Sequence, residues 1–85
     1  MRYAVEITGA ARKALASAPS RDRRRIAASI DALADDPRPR GSKKLLGEEG
    51  LWRIRVGDYR VIYSINGRKL VVLVVRVGHR REVYR

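Results

Sequence analysis

Basic and apolar side chains alternate between Leu51 and Tyr63, where the chain reads Leu-Trp-Arg-Ile-Arg-Val-Gly-Asp-Tyr-Arg-Val-Ile-Tyr. This alternation around a Gly-Asp pair predicts a β-hairpin with a two-residue turn. In that register Arg55 lies opposite Arg60, and Arg53 is on the same side of the hairpin. Like charges directly opposite each other destabilise a pair of strands. Three arginines on one side therefore predict a binding site for an anion.

The chemistry that these arginines could support is cleavage of a phosphodiester. A guanidinium group binds two phosphate oxygens at once and stabilises the added charge of a pentacoordinate transition state without a metal. Arg80 and Tyr84 could join the site if the C-terminal segment folds over it, and the tyrosine ring could stack on an unpaired base. His79 is the candidate for proton transfer, although a surface histidine after a strand is the commoner case. The hairpin has no nearby Glu-His pair or Asp cluster to act as acid and base.

The composition favours a polyanionic partner. The 85 residues include 20 Lys and Arg against 9 Asp and Glu, a net charge of +11. Residues 51–85 carry a net charge of +7 and residues 1–50 a net charge of +4, so the anion-binding side is expected in the C-terminal part. Nucleic acid is the partner that such an excess favours most. An anionic membrane surface and an acidic protein are the alternatives.

Several classes of protein are excluded. The chain has no cysteine and one histidine, which excludes a disulfide scaffold and argues against a zinc site, so no metal or other cofactor is expected. No apolar run approaches the roughly 20 residues that span a bilayer, and the N-terminus lacks a signal-peptide core. We therefore expect a cytoplasmic protein with no membrane partner. The length predicts one domain, residues 1–85, with a single site.

The sequence predicts an α+β fold whose elements, in the order β-α-α-β-β-β, would position these side chains. A strand is expected over residues 2–7, a helix from Gly9 to Ser17 capped by Thr8, and a second helix from Arg21 to Ala34 capped by Ser20. After a loop over residues 36–44 and the hairpin, a turn at Asn66-Gly67 leads to a central strand from Leu70 to Val77, which Gly78 ends. The helices should cover one face of a small, antiparallel-rich four-stranded sheet.

The hairpin, together with Val77-Gly78-His79-Arg80-Arg81-Glu82-Val83-Tyr84, resembles the RelE toxins of bacterial toxin-antitoxin pairs, which belong to the RelE/ParE superfamily. The resemblance spans nearly the whole chain and includes the order of elements and the Lys-Leu-Leu-Gly sequence at residues 44–47. It implies a RelE-like fold and a metal-independent endoribonuclease. Such a toxin would enter the ribosomal A site and cut mRNA by attack of a ribose 2′-OH on the adjacent phosphate, thereby inhibiting translation. The implied partners are a cognate antitoxin, the ribosome and mRNA.

The resemblance also implies roles for single residues. Arg53 and Arg55 match two basic positions of the hairpin, Arg60 and Arg80 match phosphate-stabilising arginines, and Tyr84 matches a base-stacking tyrosine. Some relatives have lysine where this chain has Arg53 and Arg55, and arginine stays protonated, so the general base is not identified. The other basic residues expected to bind RNA or the ribosome are Arg38, Arg40, Lys43, Lys44 and Arg81.

Two other functions are compatible with the sequence. A ParE-like toxin that inhibits DNA gyrase would keep the fold and lack the RNA-cutting residues, and the pair Arg80 and Tyr84 argues against it. A non-catalytic nucleic-acid-binding module is compatible with the composition, and the missing general base favours it.

Overall fold

The computed structural model describes residues 2–79. Its helices and strands follow the hydrophobic patterns of the sequence. Two helices pack on one face of a mixed sheet, α1 against β5 and α2 against β3 and β4, so the predicted α+β class is confirmed. The elements are β1 (Ala4–Ile7), α1 (Gly9–Ser17), α2 (Ser20–Ala32), β2 (Lys43–Lys44), β3 (Leu51–Val56), β4 (Tyr59–Asn66) and β5 (Val71–His79).

The sheet has five strands where the sequence predicts four. The additional strand is β2, whose two residues pair with Arg53 and Trp52 on β3. Both β2 residues are exposed, so they have no alternation of apolar and polar residues to indicate a strand. The strand exists because the loop after α2 returns along the free edge of β3. The predicted loop over residues 36–44 therefore ends as part of the sheet.

The strand order is β1-β5-β4-β3-β2. β1 runs parallel to β5, and the other neighbouring pairs are antiparallel. β5 is an interior strand, as predicted, with β1 on one side and β4 on the other. The prediction that Gly78 ends this strand is wrong, because Gly78 pairs with Arg60 and His79 pairs with Tyr59.

The two helices begin in different ways. Thr8 is the N-cap of α1, as predicted: the Ala11 N–H donates to its side-chain oxygen at 3.2 Å. The Thr8 hydroxyl also donates to the Val75 carbonyl at 3.2 Å, which ties the start of the helix to β5. The predicted cap at Ser20 is wrong, because Pro19 holds the N-cap position of α2 and Ser20 is already helical. No side-chain cap bond forms there.

A β-bulge interrupts the pairing of β4 with β5. Tyr63 pairs with Val74, but the preceding residue Ile62 pairs with Arg76, so β5 contains one extra residue at this point. Val74 and Val77 both face the helices as a result and belong to the core cluster. Arg76 is turned to the opposite face of the sheet. The core between sheet and helices contains Ala11, Ala18, Ile26, Ile30, Leu33, Ile54, Val56, Val61, Tyr63, Val72, Val74 and Val77.

Candidate nucleic-acid interface

The predicted hairpin register is confirmed. Val56 pairs with Tyr59 and Arg55 with Arg60 around the turn at Gly57 and Asp58. Because successive side chains alternate between the faces of a sheet and paired residues share a face, the hairpin arginines lie away from the helices. We call this side the basic face; its basic residues among those described are Lys43, Arg53, Arg55, Arg60 and Arg76.

Arg60 is the buried member of the basic face. It is 5% exposed, and among residues 2–79 no other charged residue is buried. Its neighbours in register are Arg55 on β3 and Gly78 on β5, and the glycine, which has no side chain, leaves room beside the arginine. Burying a cation is costly unless it is paired or hydrogen-bonded. Burial also leaves the side chain fewer alternative positions, so this cation is suited to stabilising an anion on the basic face.

Arg76 is a member of the basic face that the sequence prediction missed. Strict alternation from the buried Val72 and Val74 would place Arg76 toward the core, whereas the bulge places it beside Ile62 on the opposite face. The signal that could have identified it is an arginine within a long apolar strand. A charged side chain is rarely found in a core, so its position indicates a break in the alternation.

Among the described strand residues, the acidic one on this face is Glu6 of β1, which pairs with Leu73 on β5. β1 is the edge strand far from the hairpin, because β5 and β4 separate it from β3. Glu6 is exposed. The positive charge of Arg53, Arg55 and Arg60 therefore lies on β3 and β4, at least two strands away from this carboxylate on β1.

His79 lies on the helix side of the sheet. It pairs with Tyr59, and the two rings meet edge to face with centroids 5.5 Å apart and planes at 81°. Both residues border a cavity of about 170 Å³ that α1 also lines with Ala14 and Ser17. The structure thus places the predicted proton-transfer residue on the face opposite to Arg60.

The loop residues predicted to bind RNA or the ribosome do not all lie on one face of the sheet. Lys43 pairs with Arg53 on the basic face, whereas Lys44 pairs with Trp52 on the other side. The Trp52 ring is flanked by two cations, with the Arg38 Cζ atom 5.2 Å and the Lys44 Nζ atom 6.0 Å from its centroid. Cation–π contacts at exposed sites are typically worth about 0.5–1 kcal/mol each. Arg40 is exposed in the same loop.

Tyr63 ties this loop to the core. Its hydroxyl donates to the Pro37 carbonyl at 2.7 Å, and both residues are buried. Burial raises the pKa of Tyr63 to about 12, although a hydrogen bond with Ser42 and the charge of Arg38 act in the opposite direction. The hydroxyl therefore stays protonated at neutral pH and acts as a structural donor.

The predicted residues Arg80, Arg81 and Tyr84 lie outside the described part of the chain. Residues 2–79 contain no group of three or more His, Asp or Glu side chains that could hold a metal ion. Over the same range, no helix is both long enough and apolar enough to cross a membrane. The basic face is a cationic surface suited to binding phosphate oxygens.

Comparisons with known proteins agree on one family. The family model of the ParE toxin of type II toxin-antitoxin systems, parDE, matches residues 5–84. Toxin RelG of Mycobacterium tuberculosis is 36% identical over 89 residues, which span 100% of this chain and 99% of RelG.

Solved structures show the same relationship. The chain superimposes on one chain of the archaeal RelE-RelB complex from Pyrococcus horikoshii OT3 with a TM-score of 0.82 and 39% identity. The match covers 94% of this chain and 97% of that chain. One chain of the toxin-antitoxin complex RelBE2 from Mycobacterium tuberculosis matches with a TM-score of 0.82 and 30% identity. The match covers 93% of this chain and 92% of that chain.

Proposed function

Because the chain belongs to the RelE/ParE superfamily of type II toxins and resembles its RelE members, we propose that it cuts mRNA in the ribosomal A site and so inhibits translation. The observation that carries this proposal is the pair of Arg55 and Arg60 on the basic face, with Arg60 buried. Cations held in this way can stabilise the charge that develops on a phosphate during cleavage.

The proposed reaction is attack of a ribose 2′-OH on the adjacent phosphate. The O2′–P bond forms as the P–O5′ bond breaks, which leaves a 2′,3′-cyclic phosphate and a free 5′-hydroxyl. The 2′-OH loses a proton in this step and the 5′ oxygen gains one. Arg55 and Arg60 would neutralise the non-bridging oxygens at the phosphorus. They would not accept the proton, because arginine remains protonated.

Alignment of the substrate must then supply much of the rate. Holding the 2′-OH in line with the phosphate can contribute about 7 kcal/mol or more, as effective molarities of intramolecular reactions show. In the proposed function the ribosome provides this alignment and the toxin provides the phosphate-stabilising charge. Free RNA should accordingly be cut very slowly.

Single-turnover cleavage of mRNA on programmed ribosomes tests the proposal. Arg60→Ala should lower the rate by about 100-fold or more, the scale of losing one preorganised donor. Arg68→Ala is the matched control, since Arg68 is exposed in the loop between β4 and β5, at the other end of the sheet from the hairpin turn. His79→Ala should have little effect, because His79 faces the helix side with Tyr59.

The family resemblance extends the same test to the C-terminal segment. Arg80→Ala should resemble Arg60→Ala if both arginines contact the phosphate. Tyr84→Phe should be mild and Tyr84→Ala severe if the ring stacks on a base, since the phenyl ring of phenylalanine preserves stacking. Full cleavage by both arginine variants, or equal rates on free RNA and on ribosomes, would contradict the proposed mechanism.

Inhibition of DNA gyrase is the second candidate, because the matching family model is that of ParE toxins. A supercoiling assay with purified gyrase distinguishes the two activities. Gyrase inhibition with no ribosomal cleavage would assign the chain to that function. Arg60, which is buried and pairs with Gly78, favours RNA cleavage, because it supplies a positive charge of the kind that phosphoryl chemistry requires.

We further propose a cognate antitoxin as the protein partner. The solved relatives from Pyrococcus horikoshii OT3 and Mycobacterium tuberculosis are toxin-antitoxin complexes. A chain with a net charge of +11 fits a partner that combines acidic residues with apolar anchors. Co-expression with a neighbouring small reading frame should yield a co-purifying complex. Harmless overexpression of the chain alone, with no co-purifying partner, would contradict this.

A further inference from the structure

Lys43 and Arg76 lie on the basic face, and the reaction proposed above gives them no part. Lys43 and Arg76 are both exposed, and both lie in one row of paired residues that crosses four strands. The row runs Lys43, Arg53, Ile62, Arg76 from β2 to β5. The pair of Arg55 and Arg60 lies in the next row toward the hairpin turn, two residues further along β3.

The dimensions of the row exceed those of a single phosphate group. Neighbouring strands are about 4.8 Å apart, so the backbone positions of Lys43 and Arg76 are separated by three spacings, about 14 Å. Arg53 lies between them, one strand from Lys43, and Arg55 is displaced along β3 by about 6.7 Å. Mutually repelling cations spread over such a distance match the repeated charges of a polyanion better than one isolated ion.

We propose that Lys43 and Arg76 extend the basic face into a track that binds successive phosphates of single-stranded RNA lying across the strands. Arg55 and Arg60 act at the phosphate that is cut, whereas Lys43 and Arg76 hold phosphates on either side of it. They are positioning residues, which align the RNA and take no part in bond breaking. This inference rests on the proposed function and adds the length of RNA that the face engages.

The salt dependence of binding to a 2′-O-methyl oligoribonucleotide of six residues tests the track. This probe cannot undergo 2′-OH attack, so its binding is measured independently of cleavage. Each phosphate contact contributes about 0.7 to the slope of log Kd against log salt concentration for a single strand. Arg76→Gln and Lys43→Gln should each reduce the slope by about 0.7 and weaken binding roughly 3- to 10-fold at moderate salt. The double variant should lose about twice as much slope.

The matched controls are Arg12→Gln and Lys13→Gln, which remove the same charges from exposed positions on α1. Their slopes should equal that of the unaltered protein. Equal slopes for Arg76→Gln and the unaltered protein, equal losses in the α1 controls, or no salt-dependent binding by the unaltered protein would each overturn the inference, whatever the ribosome assay shows.

A second measurement separates positioning from chemistry. In single-turnover cleavage, Arg76→Gln should raise the ribosome concentration needed for half the maximal rate by roughly 3- to 10-fold and leave the maximal rate unchanged. A fall in the maximal rate comparable with that of Arg60→Ala would overturn the positioning role. Absence of cleavage by the unaltered protein would instead contradict the proposed function, and the oligonucleotide experiment would still decide the track.

Discussion

Tyr63 is a single side chain on which the loop after α2 depends. The Tyr63→Phe substitution keeps the buried ring and removes the hydroxyl that donates to the Pro37 carbonyl. The free energy of unfolding should fall by roughly 1–2 kcal/mol, because a buried carbonyl loses its donor. Urea denaturation measures this loss. Tyr3→Phe, at another tyrosine that packs against the core, is the control, and equal losses in the two variants would show that the Pro37 bond has no special weight.

The same residue predicts how stability depends on alkaline pH. Burial raises the pKa of Tyr63 to about 12 from an ordinary value of 10.0. The folded protein therefore binds more protons than the unfolded chain between these two values, so this contribution to stability is complete below about pH 10 and is lost as the pH rises toward 12. Unfolding measured at about pH 9 and about pH 11 should show a smaller decrease for Tyr63→Phe than for the unaltered protein. Identical decreases would contradict the assignment.

The sequence correctly predicts which face of the sheet the hairpin arginines occupy and misses the face of Arg76. Arg53, Arg55 and Arg60 are predictable because a two-residue turn fixes the register of its own strands, a local effect. The face of Arg76 depends on a bulge in β5 opposite Ile62, which is a feature of the pairing between β4 and β5. The face that Arg76 occupies is thus a property of tertiary packing.

Among the elements, the start of α1 depends on a side-chain cap. Thr8→Ala should reduce the free energy of unfolding by about 1 kcal/mol or more, because it removes the cap bond to the Ala11 N–H and the bond to the Val75 carbonyl. Ser20→Ala is the matched control, since no side-chain cap bond forms at the start of α2. Thermal or urea unfolding measures both. A loss at Ser20 equal to that at Thr8 would contradict the assignment of the caps.

The hairpin turn is sensitive to a side chain at Gly57. Its φ of 61° lies in the left-handed region, and an added Cβ would lie 3.3 Å from the Arg25 Nη1 atom of α2. Gly57→Ala should cost about 1–2 kcal/mol of stability from backbone strain. Gly67→Ala is the control, because a Cβ there meets no atom within 4 Å and its φ is not positive. Chemical denaturation of the two variants compares them, and equal midpoints would show that the turn adapts without strain.

The helices and long strands are predictable because each contains its own periodic pattern and boundary signals. Pro19 and Thr8 delimit α1 within one segment of sequence. β2 is different, since its two lysines acquire a strand conformation only by pairing with Arg53 and Trp52. Pairing at a sheet edge depends on another strand and leaves no periodicity in so short a segment.

For the whole molecule, the net charge of +11 predicts stabilisation by anions. An anion that occupies the basic face stabilises the folded state by RT ln(1 + [L]/Kd), about 1.4 kcal/mol at tenfold excess over Kd. At about 4–8 °C per kcal/mol for a domain of this size, the Tm in sulfate should exceed that in chloride by several degrees at equal ionic strength. Differential scanning calorimetry measures the shift.

The control for this prediction is a variant that loses one charge of the basic face. Arg55→Gln should show a smaller shift between chloride and sulfate than the unaltered protein, because Arg55 is exposed beside Arg60 on that face. Arg12→Gln, on α1, should show the full shift. Equal shifts in all three proteins would mean that sulfate acts through the surface as a whole.

The parallel pairing of β1 with β5 joins the beginning of the chain to its end. Ala4 lies in register with Val71, and Thr8 bonds to Val75 across a sequence separation of 67 residues. During synthesis the first strand therefore has no partner until β5 has left the ribosome, and closing so long a loop delays folding. A ribosome that makes this protein should consequently extrude the chain through His79 before the complete sheet can form.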